Sequence, residues 1–198
     1  MKSSLAILGC LVAGILVSAA HLLPAFLLRS EVAAGVLFAL LFLVGVGIGG
    51  KPEMRELLRR LDPRMALVPL VAVIGTLLGV GIISIALPGV RLREALAVGA
   101  GFGYYSLSSI LITQIRGETL GVLALLANVL RELVTLVASP LLARYFGRLA
   151  PIVSGGATAT DTTLPIIVQC AGAEYAVLAV FSGMVLSLLV PFLITFLL

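Results

Sequence analysis

The chain predicts an all-α polytopic membrane protein, with about five transmembrane helices plus two re-entrant or broken hairpins. Three observations carry this. First, its 198 residues are 61% hydrophobic and 11% charged, with a mean hydropathy of +1.26, whereas soluble domains run about 45–50% apolar and 25% charged. Second, apolar runs of about 18 residues or more recur along its length, each able to cross a hydrocarbon core about 30 Å thick. Third, two further apolar stretches are dense in glycine, serine and threonine, which free the backbone from helical geometry and bond the groups thereby exposed.

Taken in order, the first span is expected at Leu5–Leu28. Lys2, a short apolar stretch and Ser18-Ala19-Ala20 imitate a signal peptide, and Leu8-Gly9-Cys10 faintly imitates a lipoprotein site. The apolar run continues past Ala20 to Leu28, so a retained helix is the expectation. Spans follow at Ala33–Gly50 and Met65–Leu87, separated by Lys51–Arg64, whose five basic residues read as an amphipathic surface hairpin or short helix. Next come the Gly/Ser-rich Ala95–Gln114, a span at Thr119–Leu142, the Gly/Thr-rich Ala150–Gly172 and a last span at Tyr175–Leu198. Irregular backbone survives in a bilayer only where protein or a cavity surrounds it, so both rich stretches read as re-entrant hairpins or broken helices.

Basic residues arbitrate the topology. If all seven segments cross, Lys2, Lys51, Arg55, Arg59, Arg60, Arg64 and Arg116 share one side, and Arg29, Arg91, Arg93, Arg144 and Arg148 the other. If both odd segments dip in and return, Arg144 and Arg148 join the Lys51–Arg64 side and Arg116 leaves it. The split becomes eight to four, closer to the positive-inside rule. This favours five spans and two hairpins, with the amino terminus inside and the carboxy terminus outside. Residues 1–198 then form one membrane domain. Residues 1–94 supply three spans and the basic cytoplasmic loop, and 95–142 and 150–198 each supply a hairpin plus a helix. Those two units enter from opposite sides, as inverted repeats do around midplane sites. At an offset of 55 residues Gly101 falls on Gly156, Ser106 on Asp161 and Gln114 on Gln169.

Of nine acids, seven lie in or beside polar connections, while Glu132 and Asp161 fall within apolar segments. An ionisable group at membrane depth costs at least about 2.5–3.5 kcal/mol and so usually faces a cavity and does a job. On Thr119–Leu142 the polar residues Asn128, Arg131, Glu132, Thr135 and Ser139 align, at 100° per residue, in a stripe about 100° wide. The structural alternative is an Arg131–Glu132 ion pair, but adjacent helical residues splay apart. Arg131 either tunes the acid or snorkels in a cavity. Asp161 stands among Thr158, Thr160, Thr162 and Thr163, flanked by Gly155-Gly156 and Pro165. This reads as a hairpin tip or helix break, and also suits an N-cap.

The first rich stretch carries Tyr104, Tyr105, Ser106, Ser108 and Ser109, either a face for an ammonium or alkyl stem or an interfacial belt. His21 reads as interfacial and Glu118 as a first-turn acid favoured by the helix dipole. Cys10 and Cys170 read as small buried hydrophobes. No Gly-Lys-Ser/Thr or strand-turn-helix glycine motif points to a nucleotide, and neither a metal site, a cofactor nor a nucleic-acid partner is indicated.

Gly101-Phe102-Gly103-Tyr104-Tyr105-Ser106-Leu107-Ser108, Asn128 with Arg131-Glu132, Gly156-Ala157-Thr158 followed by Asp161 and Thr163-Leu164-Pro165, and Ser187-Leu188-Leu189-Val190-Pro191 resemble, in the same order, the LysO-type lysine exporter family. The resemblance covers essentially the whole chain but only the carboxy-terminal two thirds of longer members, which carry about three more amino-terminal helices. It implies a homo-oligomer or a separately encoded small membrane subunit. It also implies export of L-lysine and its analogue thialysine across the plasma (inner) membrane of a prokaryote, with Glu132 and Asp161 functionally important. One departure is Asn128-Val129 where the family commonly has Asn-Asp.

The expected function is therefore a secondary lysine exporter, not an enzyme, running against protons. Glu132 and Asp161 would meet the ammonium groups. Tyr105, Ser106, Thr160 and Asn128 would meet the zwitterionic end or the stem. The rivals are a cation channel or monovalent-cation/proton antiporter, a scaffolding subunit, and an intramembrane aspartyl protease, for which Glu132 is a poor second aspartate.

Overall fold

A long apolar helix needs only hydropathy, but a helix that stops inside the bilayer needs a reason, and here the reasons are glycines and polar side chains. The computed structural model describes residues 66–86 and 91–198, with Val17, Phe42 and Val46 as isolated helical positions. Two compact units, Met1–Val44 and Gly45–Leu198, make up the chain, and both continuous described segments belong to the second. The spans expected at Leu5–Leu28 and Ala33–Gly50, the Lys51–Arg64 connection, His21 and Cys10 lie outside the described residues.

Among the described residues every regular element is helical, as expected of an all-α membrane protein. Three of the described helices are long and apolar enough to cross a membrane. These are α1 (Leu67–Ala86), α4 (Glu118–Phe146) and α7 (Ala176–Leu197). Between them lie the short helices α2 (Leu92–Gly99) and α3 (Tyr105–Arg116), then α5 (Ala150–Gly155) and α6 (Leu164–Ala171). A 3-10 turn at Gly156–Thr160 follows α5.

The short helices form two hairpins. Helix α2 runs back along α1, since Gly99 packs on Val80 and Gly81 faces Leu96. Its Ala95 shares a groove with Leu120 and Leu123 near the start of α4. Helix α3 returns to that same end, where Gly117 turns the chain into α4 and Thr113 packs on Gly121. The second hairpin enters from the other end. Ser154 sits against Thr135, so α5 runs back along α4 from Phe146. Both feet of this hairpin share one face, because Arg148 Nη1 donates to Glu174 Oε1 at 3.1 Å. Helix α7 then crosses to the first face, where Arg116 Nη2 donates to the Leu198 carbonyl at 3.1 Å.

The tips of the hairpins touch. The Ala157 amide donates to the Phe102 carbonyl at 2.8 Å, and these two residues are 55 apart. Gly117 and Gly172, also 55 apart, end the two hairpins with φ of 92° and 114°. Both pairs share the 55-residue offset noted in the sequence.

Burial follows membrane rather than aqueous logic. On α4 the buried positions are Gly121, Ala124, Asn128, Thr135 and Ser139, while Leu130, Leu133, Val134 and Val137 are exposed. Small and polar residues let backbones approach, and the leucines face lipid. Helix α4 runs beyond the expected Leu142 to Phe146, with Pro140 inside it. Proline costs the helix one bond without ending it, because neighbouring groups in a bundle re-satisfy the backbone. The core gathers around α7, whose Leu178, Ala179, Phe181 and Met184 pack on Ile152, Ala159, Ile167 and Val68.

Candidate functional site

Two interrupted hairpins leave backbone groups that lipid cannot satisfy, and the α4 stripe supplies their partners. At the first tip, Asn128 Oδ1 accepts the Gly103 amide at 2.7 Å, while Nδ2 donates to Val98 O at 3.1 Å and Ala124 O at 2.9 Å. Asn128 is 3% exposed, so its amide is spent on the chain. Phe102 holds φ of 46°, a region costing a non-glycine residue about 1–2 kcal/mol. Strain of this sort tends to gather at functional sites.

The second tip is served differently. Arg131 Nε donates to Ser154 O at 2.9 Å, Nη2 to Val153 O at 3.1 Å and Nη1 to Thr76 Oγ1 at 3.0 Å. Thr158 Oγ1 donates to Gly155 O at 2.9 Å, and the Gly156 amide to Ile152 O. The last four carbonyls of α5 are thereby all accounted for. Asn128, expected to meet the substrate, bonds backbone groups, and Arg131, expected to tune the acid or snorkel as part of the substrate and proton site, bonds two carbonyls and Thr76. A helical wheel identifies the face of a side chain but not the neighbour that will occupy it.

Asp161 follows this turn. It is exposed, and its Oδ1 accepts its own neighbour's amide, Thr162 N, at 2.6 Å. Its surroundings include the other hairpin. Gly103 lies against Gly155 O and Thr158, Asp161 N donates to Thr158 O, and Tyr104 lies within Coulombic reach of the Asp161 carboxylate. Tyr104 is half-buried. Tyr105 is half-buried one residue on, Ser106 is exposed, and Thr160 Oγ1 donates to Ala157 O at 3.0 Å.

Glu132 is half-buried on α4. It stands about 100° around the helix from Arg131. Among the described residues neither Glu132 nor Asp161 has an ion-pair partner, and the one ion pair found there is the exposed Arg148–Glu174 contact. The groove between α1, α2 and α4, about 370 Å³ in volume, has Thr76, Asn128 and Arg131 along it and apolar walls elsewhere. Neither acid lines it. No cluster of His, Cys, Asp and Glu suited to a metal occurs among the described residues, and Cys170 is a free, half-buried thiol on α6.

Comparison with known proteins adds the following. The profile of a family described as Lysine exporter LysO matches residues 8–198. The lysine exporter LysO of Escherichia coli is 35% identical over 195 residues, which is 98% of this chain but 63% of the relative. The chain thus spans less than two thirds of that protein's length. A putative lysine exporter of Haemophilus influenzae is 35% identical over 162 residues, 81% of each chain. No solved structure matches the chain at a significant level.

Proposed function

The chain belongs to the lysine exporter LysO family, and from that premise we propose that it carries L-lysine, and analogues such as thialysine, out of a prokaryotic cytoplasm in exchange for protons. The single observation that supports this most is a pair of acids without an ion-pair partner among the described residues, Glu132 half-buried within the apolar α4 and Asp161 just after the turn whose Ala157 meets the other hairpin at Phe102. An unpaired carboxylate within a membrane-embedded segment is costly unless it faces a cavity or is neutralised. Either a proton or a substrate ammonium neutralises such a carboxylate, and the two compete. That competition is the minimum an antiporter needs.

In this reading 95–142 and 150–198 are an inverted pair of hairpin-plus-helix units within one transport domain. Charge places the Arg148 face in the cytoplasm, since Arg144 and Arg148 join the basic Lys51–Arg64 connection there. The hairpin bearing Asp161 is then the cytoplasmic one. Asp161 receives one ammonium group with the Tyr104 ring beside it, an arrangement in which an aromatic face adds about 0.5–2 kcal/mol. Glu132 receives the second charge or the exchanged proton. Tyr105, Ser106 and Thr160 line the stem and the zwitterionic end. The protein resides in the plasma membrane.

Uptake of radiolabelled lysine into inside-out vesicles tests the assignment. Glu132→Gln and Asp161→Asn are each expected to reduce proton-driven uptake by at least 100-fold while membrane abundance stays normal. Undiminished uptake by either variant, or transport of sodium or potassium in place of lysine, overturns the reading.

A further inference from the structure

Arg131 is the one cation that the described residues bring to the depth of the hairpin tips, and no acid among those residues meets it. Its donors reach instead to α1, through Thr76, and to the last turn of α5, through Val153 and Ser154. Its Cζ lies 6.0 Å from the centroid of the Phe102 ring. Phe102 is also the residue whose carbonyl receives the Ala157 amide of the second tip. A closed circuit results: guanidinium to the end of α5, through Gly155-Gly156 to Ala157, across to Phe102, and back to the guanidinium.

The chemistry at that helix end suits a cation. The carbonyls of a last turn carry partial negative charge and lack intrahelical donors. A planar guanidinium can serve two adjacent carbonyls and stack on a ring at once, which an ammonium cannot. The other repeat has nothing equivalent. An offset of 55 places the fully buried Leu186 opposite Arg131 and Gly183 opposite Asn128. The first tip is held by a neutral amide, so the charged clamp acts on the Asp161 hairpin alone.

We infer that Arg131 is a positioning residue and not a substrate ligand: it pins the second hairpin, and with it Asp161, against the first tip. Only the transport readout of this inference rests on the exporter reading. The position of the tip is read independently.

The experiment uses the full chain with Cys10 and Cys170 replaced by alanine and Thr162→Cys introduced as a reporter, since Thr162 is exposed beside Asp161. Arg131→Gln is expected to raise the rate of labelling by a membrane-impermeant maleimide about tenfold and to cut kcat for lysine at least 50-fold. KM should move less than threefold. Arg131→Lys, which retains charge but not the fork, should recover part of the labelling protection and at most a tenth of the rate. Phe102→Leu and Thr76→Val loosen the same circuit with the arginine in place, and should raise labelling two- to threefold. Unchanged labelling in Arg131→Gln, Phe102→Leu and Thr76→Val together sinks the inference. So does a tenfold rise in KM at unchanged kcat, which is the signature of a direct ligand.

Discussion

The two hairpins solve the same problem with different chemistry. Each brings broken helix ends to the middle of an apolar bundle, and each must satisfy stranded amides and carbonyls there. In the first hairpin a neutral amide, Asn128, serves both a donor and an acceptor and is 3% exposed. In the second a guanidinium serves two carbonyls, and the helix behind it, α7, offers only the bare backbone of Gly183 against Ala157 and Thr160. The first tip is held by hydrogen bonds from one side chain of its own unit, the second by a charge from the other unit. Of the two acids in the proposed transport cycle, Asp161 sits on the second hairpin and Glu132 on α4, the helix that supplies both clamps. The two tips meet through similar backbone but are held by different side-chain chemistry.

The contrast is most vulnerable at the contact between tips. A Cβ on Gly156 would strike the backbone carbonyl of Phe102, at a residue whose φ is already 63°. Overlap with fixed backbone plus an unfavourable φ costs at least about 3 kcal/mol. Gly156→Ala should therefore abolish export. It should also lower the melting temperature in detergent more than loss of the Asn128 amide, of a foot glycine or of the Arg148–Glu174 pair. Gly101→Ala at the equivalent position meets the Asn128 amide and the Ser108 hydroxyl and not backbone; it displaces the amide clamp and should cost about as much as Asn128→Ala, less than Gly156→Ala.

Next in size is the amide clamp. Asn128→Ala leaves the Gly103 amide unmet, while Val98 O keeps its bond from the Gly101 amide, and a buried orphan costs about 1–3 kcal/mol. A loss of thermal stability with the KM for lysine little changed would support a scaffold role for Asn128. A selective KM effect would return it to the substrate site. Smaller again are the feet. Gly117→Ala and Gly172→Ala each force alanine into an extended region of positive φ, costing about 1–3 kcal/mol. Gly172→Ala should lose slightly more thermal stability, because its Cβ must also displace the Glu174 carboxylate while open space surrounds Gly117. The smallest effect belongs to Glu174→Gln. The Arg148–Glu174 pair is more than half exposed on both sides, and exposed pairs contribute about 0–1 kcal/mol. Export at physiological salt should be unaffected.

Much of this was legible from the chain. Met65–Leu87 was expected to span and α1 covers Leu67–Ala86. The glycine-rich stretches announced the interruptions, although the helices of the first extend past its expected edges, to Leu92 and Arg116. The helical wheel correctly grouped Asn128, Thr135 and Ser139 on one buried face. What the wheel cannot convey is the partner. The acceptors of Arg131 are carbonyls 22 and 23 positions away, and carbonyls look alike in every sequence.

Hydropathy, loop charge and the interruptions were enough to establish a helical membrane protein with two broken segments, because a bilayer admits few ways to satisfy a backbone. Whether a polar side chain at depth serves the chain or a solute required the folded bundle. That choice depends on which stranded backbone group lies within about 3 Å of it, and proximity between distant segments exists only once the helices have packed.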